Sequence, residues 1–199
     1  MSDGFFIKTM LQLKTYFESL DLLTADEIDA ALPLFRMKTL NKSELFIAEG
    51  ERCTEVGFIL SGYCRSFYLS AEGEEVTYCF RFPGEFLAAY SSFITGQGSQ
   101  ENMQAITATE LLVISQADVE MLAANYTNWL RFLKFVAEQQ YIELEKRVFQ
   151  LQRANAKWRY DDLLKHHPEY VRHLPLQYLA SYLGITQRHL SRIRKELAF

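Results

Sequence analysis

YLASYLGITQRHLSRIRKEL, residues 178–197, is the stretch whose reading decides the fold. Counted from Leu176, apolar side chains stand at positions 4, 8, 10, 15 and 18, namely Leu179, Leu183, Ile185, Leu190 and Ile193. Ala180 falls at position 5, where two crossing helices touch and a larger side chain would hold them apart. Gly184 falls at position 9, where the chain leaves the first helix through a left-handed backbone that glycine adopts without steric cost. All seven positions agree with one frame, that of a helix-turn-helix. A plain helical hairpin is the alternative, and it requires neither the small residue nor the glycine.

The second helix divides by face. Thr186 is a fitting N-cap. Leu190, Ile193 and Leu197 make an inward face, and Arg188, Ser191, Arg192 and Lys195 an outward one. A recognition helix puts its N-terminal residues against base edges in the major groove. Arginine pairs bidentately with guanine and glutamine with adenine. Gln187, Arg188 and Arg192 are therefore the candidate base readers, with His189 beside them. Ser191, Arg194, Lys195 and the Thr186 hydroxyl are candidate phosphate contacts, which fix register without reading sequence. The charge distribution points the same way. From Lys146 onward there are eleven Lys/Arg and four Asp/Glu, so this tail carries +7. The rest holds ten Lys/Arg and 21 Asp/Glu and carries −11, within a net −4. An acidic body with a basic tail is expected where only the tail meets a polyanion.

Upstream, Trp129 to about Arg153 lacks Gly and Pro and reads as one long helix. Ala137, Tyr141, Leu144, Val148 and Leu151 recur at steps of 4, 3, 4 and 3, a heptad seam two repeats long. Phe132, Phe135, Val136, Ile142 and Phe149 lie off the seam. A helix with two apolar surfaces needs two partners, and the expected ones are the body of the protein and a second copy of the chain. Between this helix and the basic stretch, a helix is expected over roughly Asn155–Lys165, ended by His166-His167-Pro168.

Between about Leu34 and Ser115 the period is two. Short Phe-, Tyr-, Val- and Ile-rich segments alternate with Gly-containing turns at 49–51, 61–63, 71–75, 82–86 and 95–99. That is the pattern of short antiparallel strands in a barrel or sandwich, with AEGEE at 71–75 as a hairpin turn. Residues 5–30 read as helical, with a capping box at Thr24–Glu27 and a stop at Pro33. Gln116–Asn125 reads as a short helix.

No apolar run approaches the ~20 residues of a membrane span. The start, MSDGFFIK, does not read as a signal peptide. Cys53, Cys64 and Cys79 form no CxxC pair and read as reduced thiols, which points to the cytoplasm. A metal enzyme built on a β-barrel needs His and carboxylate ligands inside the barrel. All four histidines, 166, 167, 173 and 189, lie outside the strand region. No nucleophile elbow or phosphate-binding glycine loop is present, so no metal site and no catalytic residues are expected.

Taken in order, FILSGYCRSFY (58–68), FPGEFLAAYSSF (82–93), ELLVISQADVEML (110–122) and YLASYLGITQRHLSRIRKEL (178–197) resemble the Crp/Fnr family of bacterial transcription regulators. The resemblance runs from about Leu34 to Leu197. It implies an α+β architecture: a cyclic-nucleotide-binding-like β-roll (jelly-roll), a long dimerisation helix and a C-terminal winged helix-turn-helix. The corresponding domains are 1–125, 126–153 and 154–199. Family members are typically homodimers on two-fold symmetric double-stranded DNA, gated by a ligand in the roll, with RNA polymerase a further partner.

The departures from the family pattern are informative. Members that bind cyclic nucleotides carry a Gly-Glu pair for the ribose after the GEF-like turn, and an Arg for the cyclic phosphate about ten residues later. Here Ala88-Ala89 stand at the first pair, and Ser99, Gln100 and Glu101 offer no cation at the second. A buried phosphate without a cationic partner is costly. No cyclic AMP binding is therefore expected. Phe86, Leu87, Ala88, Ala89, Ser91, Ser92, Ser99, Gln100, Glu101 and Asn102 remain the candidate lining for another effector. The iron–sulfur branch needs clustered N-terminal cysteines, and none precedes Cys53. Many members show Arg-Glu where Gln187-Arg188 stand, whereas Arg192 matches, so a different operator is expected. The competing reading is a cyclic-nucleotide-binding-like signalling module without sequence-specific DNA binding.

Overall fold

A computed structural model describes residues 3–153 and 155–197, with side chains over 9–152 and 155–196. Helices α1 (Asp3–Ser19) and α2 (Ala25–Ala31) come first within the stretch read as helical, separated at Asp21, whose φ is 53°. The Thr24 capping box is formed: the Thr24 hydroxyl accepts from the Glu27 amide, and the Glu27 carboxylate accepts from the Thr24 amide at 2.8 Å. A 3-10 turn, Leu32–Leu34, carries Pro33.

Eight strands follow: β1 (Arg36–Leu40), β2 (Leu45–Ile47), β3 (Glu55–Ser61), β4 (Cys64–Leu69), β5 (Glu75–Arg81), β6 (Phe86–Leu87), β7 (Asn102–Ala105) and β8 (Thr109–Ser115). They form two four-stranded sheets, ordered β1-β8-β3-β6 and β2-β7-β4-β5. In the first, Arg36 faces Val113 and Gly57 faces both Val113 and Leu87 across antiparallel ladders. The turn from β3 to β4 depends on Gly62. Its φ is +86°, and a Cβ there would stand 2.4 Å from the Ala108 carbonyl oxygen. The AEGEE turn closes as expected, with the Ser70 amide donating to the Glu74 carbonyl at 2.9 Å. One short helix not foreseen, α3 (Tyr90–Thr95), lies between β6 and β7.

The remaining elements are helical: α4 (Gln116–Asn125), α5 (Thr127–Arg153), α6 (Ala156–His166), α7 (Pro168–His173), α8 (Leu176–Tyr182) and α9 (Gln187–Leu197). The sequence reading missed α7, where Pro168 supplies a fixed φ at the first helical position rather than only a stop. Among the described residues no strand follows β8, so the expected wing is not formed as strands there, and the stretch between α5 and α8 folds as α6 and α7.

Packing divides the chain into two compact units: Met1–Ser66 with Phe80–Ala137, and Phe67–Cys79 with Glu138–Phe199. The core of the first is mostly aliphatic with an aromatic cluster where α1 meets α5. Phe17 of α1 meets Trp129 and Phe132 of α5 at 5.6 and 5.5 Å between ring centroids, and Phe86 of β6 meets Phe58 of β3 at 5.2 Å. Edge-to-face rings of this kind hold beyond their area burial. They anchor the first turns of α5 on the sheets. The second unit is built on Tyr160, Leu163, Leu174, Leu179, Ala180, Leu183, Leu190 and Ile193, all buried.

Candidate nucleic-acid interface

The turn between α8 and α9 is a Schellman motif. The Ile185 amide reaches back to the Ala180 carbonyl at 3.0 Å and the Gly184 amide to the Ser181 carbonyl at 2.9 Å, with Gly184 at φ +66°. The Thr186 hydroxyl then accepts from the His189 amide at 3.2 Å, capping α9. These backbone bonds and the hydroxyl cap link α8 directly to α9. Leu179, Ala180, Leu183, Leu190 and Ile193 are buried, Ile185 partly so, and the side chain of Leu197 lies outside the described residues.

On the opposite face Gln187, Arg188, Arg192 and Lys195 are exposed, while His189, Ser191 and Arg194 are partly covered. Arg192 keeps 70% of its side chain in solvent, with Glu196 4.0 Å away. That separation leaves its guanidinium able to turn to a ligand. Arg194 is more committed, since its Nε donates to the Tyr160 hydroxyl at 3.0 Å. Two exposed lysines of the tail also lie beside acids. Lys165 pairs with Asp161 at 2.6 Å and Lys157 approaches Glu196 at 3.6 Å. What remains outward on α9 is Arg188, Arg192 and Lys195.

Two further arginines explain how α8 is held, and sequence reasoning missed both. Arg147 of α5 donates through Nη2 to the Tyr182 carbonyl and lies over the Tyr182 ring, 3.9 Å from its centroid. Arg159 of α6 donates through Nε and Nη2 to the Leu183 carbonyl at 3.1 and 2.9 Å. Cations on the last carbonyls of a helix satisfy orphan acceptors and oppose the negative end of its dipole. Burial pulls both guanidinium pKa values below the usual arginine value. No local pattern marks such contacts, because their partners are 35 and 24 residues apart.

The apolar surfaces of α5 separate along its length. Trp129, Phe132, Leu133 and Val136 pack into the core of the first unit. Beyond Ala137, itself partly covered, the seam stands in solvent: Tyr141 is 65% exposed, Leu144 58%, Val148 39% and Leu151 44%. Off the seam, Ile142 and Phe149 are also exposed.

The candidate effector lining is occupied with the protein's own packing. Leu87 and Ala89 are buried core residues, and Phe86 is half-buried against Tyr16 and Phe58; Ala88 also packs against that core. The Ser92 hydroxyl accepts from the Cys53 amide at 2.9 Å and donates to the Gln97 carbonyl at 2.5 Å. The Ser99 hydroxyl donates to the Glu101 carbonyl, and the Asn102 side-chain carbonyl accepts from the Glu49 amide. Ser91 and Gln100 are exposed, Glu101 half-buried. One cation does approach from outside the segment. Arg52 lies against Gly96 at the carboxyl end of α3, and its Nη2 is 3.5 Å from the Gln116 side-chain oxygen. The cysteines are all free. Burial pushes the Cys64 thiol up to about 11, and raises that of Cys53. Among the described residues no group of three or more His, Cys, Asp or Glu is placed to hold a metal, and no helix is long and apolar enough to cross a membrane.

Comparison with known proteins places this geometry. Residues 37–126 match the cyclic nucleotide-binding domain family. Among solved structures, FixK2 from Bradyrhizobium japonicum superposes with a TM-score of 0.71 at 21% identity, over 82% of this chain and 84% of its own. A putative transcriptional regulator of the Crp/Fnr family from Eubacterium rectale gives 0.70 at 16% identity, over 92% and 88%. The c-di-GMP responsive global regulator CLP of Xanthomonas campestris gives 0.69 at 17%, over 88% and 92%. No curated protein sequence matches the chain.

Proposed function

We propose that this chain, whose residues 37–126 match the cyclic nucleotide-binding domain family and 92% of which superposes on a putative Crp/Fnr-family regulator, is a DNA-binding transcription regulator of that type rather than an enzyme. The observation that carries the reading is the exposed Arg188–Arg192–Lys195 face on a helix rigidly tied to α8 by the Gly184 turn. Gln187, Arg188 and Arg192 read base edges, and Thr186, Ser191, Arg194 and Lys195 meet phosphates. The protein acts as a homodimer on a two-fold symmetric operator, with Tyr141, Leu144, Val148 and Leu151 forming the shared seam.

The effector is not cyclic AMP. The side chains of Ala88 and Ala89 offer no acceptor to a ribose hydroxyl, Ser92 and Ser99 are engaged by backbone groups, and Arg52 is turned to the end of α3. Selection from a random duplex library at two salt concentrations tests the reading. It is expected to return an inverted repeat with half-sites about one helical turn apart. Salt-sensitive retention with no enriched sequence would instead support a nonspecific polyanion contact.

A further inference from the structure

Strand β5 stands last in the order of its sheet, β2-β7-β4-β5, and meets α8 through its backbone. Two backbone groups of β5 are met by one side chain of α8. The Ser181 hydroxyl accepts from the Thr77 amide at 2.9 Å and donates to the Glu75 carbonyl at 3.1 Å. Residues 75 and 77 are two apart and so present their backbone groups on the same side of the strand. Ser181 thus occupies the place that a neighbouring strand residue would take. The outer hairpin, Phe67–Cys79, belongs to the same compact unit as α6–α9, a unit whose other described elements are all helices. Ser181, Tyr182 and Leu183 are held in succession by β5, by Arg147 and by Arg159.

We propose that the β4–β5 hairpin braces the DNA-reading unit, and that Ser181 is the positioning residue that seats α8, and with it α9, on the hairpin edge. The outer part of the hairpin, Phe67–Cys79, carries Glu72, Glu74 and Glu75 and no Lys or Arg. It is therefore repelled by phosphates and acts as a mechanical support, not as a DNA contact. Because Gly184 and Thr186 fix α9 to α8, an error in the seating of α8 is passed undiminished to Arg188 and Arg192.

The inference rests on the DNA-reading function for its consequence but not for its geometry, and the test keeps the two apart. Ser181→Ala removes the hydroxyl and improves helix propensity, so the fold is not at risk. Ser181→Thr retains the hydroxyl. In the full-length protein, amide exchange at Thr77 is expected to rise about tenfold in Ser181→Ala, to stay at the wild-type rate in Ser181→Thr, and to leave the Leu190 amide of α9 unchanged in both. On the duplex selected by wild type, Ser181→Ala is expected to bind about tenfold more weakly with the same salt slope, because phosphate contacts are retained. Affinity for a scrambled duplex stays unchanged. Unaltered Thr77 exchange in Ser181→Ala would overturn the brace. Faster exchange with undiminished operator affinity would overturn the positioning role. Failure of wild type to select any sequence would remove the DNA-reading function, while the exchange measurement still decides the brace.

Discussion

Leu144→Ala is expected to weaken self-association without unfolding the protomer. Leu144 is 58% exposed in the single chain. Full burial of a leucine side chain is worth about 1.5–3 kcal/mol, so covering the exposed fraction is worth about 0.9–1.7 kcal/mol. A two-fold seam uses each residue twice, giving roughly 1.7–3.5 kcal/mol per dimer. At about 1.4 kcal/mol per decade, the dissociation constant should rise by about 15- to 300-fold. Alanine keeps one methyl, which places the result toward the lower end. Sedimentation equilibrium of the full-length protein measures this directly, with thermal unfolding as the control for the protomer. Leu144→Glu should be monomeric at concentrations where wild type is dimeric. An unchanged dissociation constant in Leu144→Ala, or a monomeric wild type at tens of micromolar, would refute the seam.

Gly184→Ala puts a side chain at φ +66° but meets nothing closer than Leu151 at 3.7 Å, so it should cost about 1 kcal/mol in urea unfolding. Gly62→Ala meets the Ala108 carbonyl oxygen at 2.4 Å and should be clearly worse. Cys64 has a folded pKa near 11 against an ordinary 9.0, so its protonated form is favoured by folding. Stability is intact below pH 9 and falls as pH rises through 11, by up to about 2.7 kcal/mol. Unfolding at pH 8 and 10.5 should show that slope, and Cys64→Ala should flatten it. Calorimetric titration with cyclic AMP should give no saturable heat, and micromolar binding would overturn the reading of Ala88-Ala89.

The parts of the fold legible in the sequence are those set by local rules. The capping box at Thr24, the Gly73 turn and the Gly184 turn each need particular residues within four or five positions, and each forms as read. The outward placement of Arg188 and Arg192 followed from helical spacing alone. What escaped was set by distance in the chain. Arg147 and Arg159 counted as part of a basic tail, yet they serve as caps for α8. Arg194, assigned to phosphate, also ties α9 to Tyr160 of α6. Ser181 gave no signal at all, since an isolated helical serine is ordinary until a strand edge is placed beside it. Arg52 could not be foreseen near α3, because 44 residues separate it from Gly96 in sequence and only the fold closes that gap.

Sequence-specific reading by α9 is the central claim, and competition between the selected operator and a scrambled duplex tests it most directly. Wild type should prefer the operator by about 10³-fold or more at physiological salt. Arg188→Ala and Arg192→Ala should each lose about 1–3 kcal/mol on the operator and little on the scrambled duplex. Equal affinity of wild type for both duplexes, or operator binding untouched by both substitutions, would contradict the account.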